Sequence, residues 1–414
     1  MAVISPTGLL GVRSPIMISW DGASSVTMQQ FKLEIYAWTG AKTSRPASPV
    51  YTIDRTSGFV DIYPNADIAP LLQDLFDQKL DKISVEEPDN LGTESILWMN
   101  IDYTIGYIDS TPASVQDTGT TTTALITDGY SDFLDGVNKD LGATFLVQGN
   151  ERYLSGLDTY NLPVFLGDTG SDFQANHRKV KYTGSDASTA TFTISTFVDR
   201  TSNLAEDRVV LIPAGVPNLQ NFIIAEGVDP TLNYPDGLDW YDIEILDNTN
   251  VVQDSIRIYN QCEAKYSPVQ LQYVNRNGMW DSITFFKRKD EDIAINKETY
   301  RQQVGSASSS GYTWADNSRG LRTYNHEVRK TTTLNTGFVN EGLIDEIQDM
   351  MMSEYVIMTI NRTTTKVQDN YTITQDFRAV NITTGSLRVQ KHINDKTINY
   401  TLQVEFATPE NAVL

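Results

Sequence analysis

Among 414 residues there is one cysteine, Cys262, so no intrachain disulfide can form. Histidine is almost as scarce: His177, His326 and His392 stand far apart, and no His-x-x-x-His or Cys-x-x-Cys spacing occurs. Zinc is therefore not expected. No Asp-rich loop follows the EF-hand or nonapeptide pattern, so nothing points to calcium either. No stretch reaches the ~18 consecutive apolar residues that a membrane helix needs. The opening Met1-Ala-Val-Ile-Ser-Pro6 has no basic region ahead of an apolar core. The expectation is a chain made in a cytoplasm and initially kept there, with no membrane partner. Positive charge is short as well: 32 basic residues face 53 acidic ones, for a formal charge of −21. That excess repels polyanions and argues against specific nucleic-acid binding, which needs Lys and Arg for the phosphates. The only compact basic run, Lys287-Arg288-Lys289, follows an apolar strand and reads as its solvated end.

What is present is a globular composition. Hydrophobic residues make up 40% of the chain, enough for packed cores, and the length suits two to four domains at roughly 100–200 residues each. Tyrosine (20) outnumbers phenylalanine (15), a tilt that suits half-wet sheet faces and subunit contacts. Patterning is dominated by period two. Phe31, Leu33, Ile35 and Ala37 alternate with Lys32, Glu34 and Tyr36, and Leu97, Met99, Ile101, Tyr103, Ile105 and Tyr107 repeat over a long strand. Between them Ile68, Leu71, Leu72, Leu75 and Phe76 fall at helical spacing, with Pro70 where a first turn tolerates it. Residues 1–110 thus read as a β-sandwich domain with one short helix. Residues 111–124, ending in four threonines, read as an exposed linker or loop.

Residues 125–303 read as a central β-rich domain. Its expected strands are Thr144–Gln148, Thr191–Val198, Arg208–Ile212, Trp240–Leu246 and Ser255–Tyr259, joined by turn-forming segments such as Gly167–Asp172. It ends in a hairpin about Asn277-Gly278, read as a type I′ turn. That turn sets Trp280 opposite Asn275, Ser282 opposite Tyr273 and Phe286 opposite Val269, with Val269, Leu271, Tyr273, Trp280 and Phe286 on one core-facing side. Residues 304–318, rich in Ser and Gly, read as a linker or mobile loop. Residues 319–414 read as an α+β assembly domain. Asn340 is the expected helix cap, with Glu341 in the first turn, and Leu343, Ile344, Ile347, Met350 and Met351 form one apolar stripe. Strands follow at Tyr355–Ile360, Tyr371–Phe377 and Ser386–His392. In the last strand Ile398, Tyr400, Leu402, Val404 and Phe406 alternate with polar residues. The fold class is mainly β: serial sandwich-like domains with a few short helices, the last with an amphipathic helix against an antiparallel sheet.

No constellation for catalysis stands out, and no catalytic, cofactor-binding or metal residue is assigned. There is no Gly-x-Ser-x-Gly elbow, His-Glu-x-x-His motif, Walker loop or Gly-x-Gly-x-x-Gly after a strand. Cys262 reads as a small half-buried hydrophobe. Paired carboxylates are the one open catalytic option, because glycoside hydrolysis needs only two of them. The acidic segment Glu226–Glu244, with Tyr234, Trp240 and Tyr241, has the composition of a sugar-binding cleft and equally that of a surface loop.

The run Ala264-Lys-Tyr-Ser-Pro-Val-Gln-Leu-Gln-Tyr-Val-Asn-Arg-Asn-Gly-Met-Trp-Asp-Ser-Ile-Thr-Phe-Phe-Lys287 resembles a segment of virion structural proteins from tailed bacteriophages of Bacteroidetes, crAss-like phages among them. Thr333-Leu-Asn-Thr-Gly-Phe-Val-Asn-Glu341, Met351-Met-Ser-Glu-Tyr355 and Asn394-Asp-Lys-Thr-Ile-Asn-Tyr-Thr-Leu402 follow in the order seen in such proteins. The similarity covers roughly residues 240–410; near the N-terminus only Leu33-Glu-Ile-Tyr-Ala-Trp-Thr-Gly-Ala-Lys-Thr-Ser-Arg-Pro46 matches loosely. The resemblance carries no catalytic residues. It implies a non-enzymatic virion protein of the tail, neck or baseplate, assembled in the host cytoplasm as a ring, hub or connector. Its expected partners are copies of itself and other virion proteins. Thr363–Asn370 departs from the pattern as an insertion-like polar loop. A glycan-reading tail adhesin and a carboxylate-dependent glycan hydrolase remain the alternatives.

Overall fold

The computed structural model describes residues 2–4, 8–21, 27–56, 65–80, 96–108, 114–130, 144–166, 179–193, 208–225, 237–247, 249–261, 265–314, 317, 319–340, 342–367, 370–386 and 397–408. The fold is mainly β, 61% strand against 11% helix, as the period-two patterning predicts. Several antiparallel sheets are present, and among the described residues none closes into a barrel.

The N-terminal region contains β1 (Ala2–Ile4), β2 (Leu9–Gly11), β3 (Met17–Asp21), β4 (Thr27–Trp38), β5 (Tyr51–Thr56), β6 (Asn65–Asp67), α1 (Ala69–Leu80), β7 (Ile96–Ile108), β8 (Ser114–Thr120) and β9 (Ala124–Thr127). A sheet in the order β2-β9-β7-β4-β5 and a smaller one, β1-β3-β6, enclose a core with α1. Phe31, Leu33 and Ile35 of β4 meet Leu97, Met99 and Ile101 of β7 in that core, joined by Leu72 and Phe76 of the helix. Alternation places Tyr36, Trp38 and Trp98 on the opposite face, where they are buried too. Part of the threonine-rich stretch is a strand rather than a linker; residues 111–113 lie outside the described residues, and Thr121–Thr123 follow the strand as irregular chain. β8 pairs with β7 from Asp102↔Thr120 to Ile108↔Ser114. β-Branched threonines suit such a half-exposed strand. Gly119 is needed there, because a Cβ would lie 2.5 Å from the Tyr103 hydroxyl that crosses it.

The central region comprises β10 (Thr144–Phe145), β11 (Glu151–Ser155), β12 (Asn161–Phe165), β13 (Lys179–Gly184), β14 (Thr189–Thr193), β15 (Val209–Pro213), α2 (Val216–Ala225), β16 (Trp240–Leu246) and β17 (Val252–Gln261). Sheets β11-β17-β16-β13-β14 and β10-β12-β15 share a core with α2. β11 runs parallel to β17, an exception to the antiparallel pattern. Strands β11, β12 and β13 and helix α2 add to the elements expected from the sequence. Gly167–Asp172 lies outside the described residues.

The C-terminal region consists of β18 (Val269–Val274), β19 (Trp280–Phe285), β20 (Asp290–Arg301), β21 (Ser306–Ser308), β22 (Gly311–Thr313), β23 (Leu321–Asn340), α3 (Leu343–Met352), β24 (Val356–Val367), β25 (Asn370–Ile382) and β26 (Thr397–Phe406). Its sheet runs β19-β18-β24-β25-β26-β23-β20. The hairpin assigned to the central domain therefore belongs to this sheet, and the change of sheet falls before Val269 rather than between 303 and 319. Helix α3 packs its stripe onto the sheet through Leu343, Ile344, Ile347 and Met350. Gly342, not Asn340, occupies the helix N-cap; Asn340 ends β23 and donates its Nδ2 to Glu151 at 2.8 Å. Residues 304–318 hold the β21–β22 hairpin rather than a featureless linker. Thr363–Val367 and Asn370 continue the β24–β25 ladder to Val367↔Asn370 rather than forming an inserted loop, while residues 368–369 lie outside the described residues. Of the expected strand Ser386–His392, residues 387–392 lie outside the described residues.

The hairpin register differs by one residue from the expected one. Val274 faces Trp280, Tyr273 faces Asp281 and Val269 faces Phe285. The turn is longer than Asn277-Gly278: Asn275 N–H bonds to Met279 O, and only Gly278 adopts positive φ, at 77°. This is a three-residue loop ending in a bulge glycine, which replaces the type I′ turn. One residue of slip moves every side chain on one strand to the other face. Ile283 and Phe285 join Val269, Leu271 and Tyr273 in the core in place of Trp280 and Phe286, and Asp281 is carried inward with them.

Candidate interaction surface

Two polar constructions hold the regions together and so fix where the C-terminal sheet projects. The first is a fully buried ion cluster. Arg152 of β11 donates Nη2 to Asp281 of β19 at 3.1 Å and Nη1 to Glu346 of α3, while Tyr160 donates its hydroxyl to Asp281 at 2.7 Å. Arg152 and Glu346 are each 1% exposed. Burial pushes the Glu346 carboxyl well above the usual range, although Arg152 pulls it down. Nearby, buried Asp158 accepts from Ser155 N–H at 2.6 Å, from the Thr284 hydroxyl at 2.7 Å and from Arg362 of β24. These contacts join central and C-terminal sheets with every carboxylate answered by a donor.

The second construction is the hairpin turn, where all three regions meet. Asn275 donates Nδ2 to Leu146 O at 2.7 Å, and Arg276 N–H bonds both oxygens of Asp349 at 3.0 and 3.1 Å. Burial pushes Asp349 up to about 6, against the lowering effect of the Arg276 N–H. Met279 is fully buried in a cluster with Trp98, Leu125, Leu146 and Phe165, which spans all three regions. Arg13 clamps Asp128 with two bonds of 2.7 and 2.9 Å beside an open cleft of about 380 Å³ that Tyr130, Arg276 and Met352 also line.

From this anchored body the ribbon of β20 and the first half of β23 projects. β26 joins β23 only from Thr331 onward, so from Ile293↔Lys330 to Arg301↔Leu321 the two strands have each other alone among the described residues. At about 3.4 Å per residue that arm is roughly 30 Å long, and the β21–β22 hairpin lies beyond it in the chain. Every residue of β20 is exposed. Ile293 and Ile295 are more than half exposed, as are Leu321, Tyr324 and Trp314. A lone two-stranded ribbon is marginal in water, and its outer edges carry unpaired N–H and C=O groups. The arm is thus the part of the described surface whose construction calls for a partner.

The residues weighed from the sequence fall as follows. His326 sits in the arm opposite Lys297; His177, His392 and Cys262 lie outside the described residues. Arg288 and Lys289 pair with Asp290 and Glu291 at 2.7 and 3.1 Å, in line with a solvated strand end. Of the acidic segment, residues 226–236 lie outside the described part. Beside Trp240, Asp242 binds Arg257 through two bonds and Glu244 binds Lys181 at 3.0 Å, so both carboxylates face cations rather than each other. Among the described residues no group of three or more His, Cys, Asp or Glu is placed to hold a metal, and no helix is long and apolar enough to cross a membrane.

Fold and surface define a mainly β, multi-sheet protein with a projecting two-stranded arm. No known protein family matches the chain, and no curated protein is similar to it.

Proposed function

We propose that this protein is a non-enzymatic structural subunit of a tailed-bacteriophage virion, a ring, hub or connector of the tail or neck that self-associates and binds neighbouring tail proteins. The observation that carries the reading is the arm, which exposes aliphatic and aromatic side chains along a ribbon that none of the other described residues covers. The sequence resemblance over roughly residues 240–410 covers the sheet that bears it. The buried Arg152 cluster supports the same reading, because an arm that reaches a neighbour works only from a rigid base. Excess negative charge suits a surface past which DNA slides without sticking. Mass photometry and negative-stain imaging of the purified chain, alone and co-expressed with tail proteins, test it. A discrete oligomer or a stable complex is expected; a strictly monomeric chain missing from purified virions refutes it.

One observation favours the adhesin reading: Trp314, 65% exposed, lies 6.1 Å from Tyr312 in and just after the β21–β22 hairpin. Binding of the isolated chain to a glycan array, lost on Trp314→Ala, is the result that would favour it.

A further inference from the structure

The register of the arm sorts its side chains into two unlike faces. On one, Ile293, Ile295 and Val328 line up with Lys297, Arg301 and Lys330, and Glu291 is the sole acid. On the other stand Glu298 and Glu327, accompanied by Arg322 and by Arg329, which pairs with Glu327 at 2.8 Å; Asp290 and Asp292 share this face at the base of the arm, where β26 already flanks β23. Tyr324 is the extra residue where the register shifts between Glu298 and Thr299; its ring lies 6.2 Å from that of Tyr300, which places both tyrosines on this second face. One face is aliphatic and basic; the other is aromatic, with Glu298 beside Tyr300 and Tyr324 and its remaining acids toward the base.

We infer that the arm docks on a second copy of this chain, with the Ile293–Lys297 face of one arm seated on the Glu298–Tyr324 face of the next. The inference rests on the structural-subunit reading and names the contact. Two different patches meeting make a heterologous contact, which repeats head to tail and closes into a ring when the rotation permits. Stacked sheets lie about 10 Å apart, much closer than bodies of this size can approach, so the arms gather toward the ring axis. A ribbon face of roughly 30 by 10 Å covers about 300 Å², or about 600 Å² counted on both partners. That is half of the roughly 1,200 Å² at the low end of stable interfaces. A single arm-to-arm contact is therefore weak, and each copy in a closed ring makes two of them. Closed rings should form from monomers without a stable dimer. A nucleic acid fits the basic face less well, because the isoleucines occupy its centre and Glu291 bridges Lys289 and Lys330 at 3.1 and 3.7 Å.

Charge reversal on the full-length chain tests this. Lys297→Glu with Arg301→Glu, and separately Glu298→Lys with Glu327→Lys, should each abolish the oligomer in mass photometry while leaving the circular dichroism melt of the body unchanged. Mixing the two variants, or placing all four changes in one chain, should restore assembly. Ile293→Ser with Ile295→Ser should also abolish it, with every charge retained. If the single-face variants assemble like the wild type, or the four-change chain folds and stays dissociated, the arm contact is wrong while the structural-subunit reading stands. A wild-type chain that stays monomeric on its own and forms a complex only with another tail protein also overturns the arm contact. One that is monomeric under every condition overturns both.

Discussion

Replacing Arg152 by Met is the sharpest test of how the body is held together. The guanidinium is 1% exposed and answers two carboxylates, Asp281 and Glu346. Methionine keeps much of the stem and removes the charge. At an effective dielectric near 20, a pair a few ångströms apart is worth about 4 kcal/mol, much of it offset by desolvation in the intact cluster. Removing one partner forfeits the attraction and leaves the desolvation cost, and buried pairs broken this way typically lose about 3–5 kcal/mol. At about 2–4 °C per kcal/mol in the larger domains, the melting transition should fall by roughly 10 °C. The loss should also depend on pH. Glu346 already has its folded pKa above its unfolded value, so its neutral form is the one folding favours. Stability linked to it is present below the unfolded pKa and is lost as pH rises through the folded one. Without Arg152 that shift grows, so the deficit should be larger at pH 8 than at pH 5. Urea melts of both chains at the two pH values read this directly. Adding Asp281→Asn and Glu346→Gln to Arg152→Met should recover most of the loss, since no uncompensated charge remains buried. An Arg152→Met chain within about 1 kcal/mol of the wild type at pH 8 would refute the argument.

Three further outcomes follow from the hairpin turn. Gly278→Ala should destabilise by about 2 kcal/mol or more, because its φ of 77° disfavours a side chain and a Cβ would lie 2.8 Å from the Asp128 backbone; a thermal melt checks it. Asp349→Asn should stabilise the chain by about 1–2 kcal/mol at pH 8. Burial holds the folded carboxyl at about 6, above its unfolded value, so the wild type carries a penalty at high pH that fades as pH falls through 6; the gap between the two chains should close by pH 4 in urea melts. Met279→Ala, at a fully buried position, should cost about 2–5 kcal/mol and expose Trp98 to solvent, seen as a red shift in tryptophan emission.

Much of the fold was legible because strands with one wet face announce themselves. β4, β7 and β26 alternate cleanly, and in each the apolar set lies in the core where the pattern puts it. Legibility failed where the signal had another cause. Helix α2 is buried on most of its surface, so Val216, Leu219 and Ile223 have too little polar contrast around them to stand out. β8 looks like a loop by composition, since Gln116, Asp117 and Gly119 break any apolar alternation although its partner β7 immediately precedes it. Arg152 and Glu346 look like surface residues in the sequence because nothing in either segment reveals the other.

The arm and the buried Asp281 show the same limit from opposite sides. Ile293 and Ile295 alternate with Asp292, Ala294 and Asn296, a pattern that in isolation promises a core face, yet both isoleucines stand in solvent. Asp281 sits in a run that promises a polar outward position once Trp280 is placed inward, yet it is buried against Arg152. Period-two alternation identifies which residues share a side and is silent on what that side meets. For Asp281 the answer came from the three-residue turn at Arg276–Gly278, which shifts the register by one and delivers a carboxylate where Arg152 and Tyr160 wait. For Ile293 and Ile295 no element among the described residues supplies it. An apolar alternation that natural sequences normally bury, exposed here on a projecting arm, is the observation behind the proposed contact between copies.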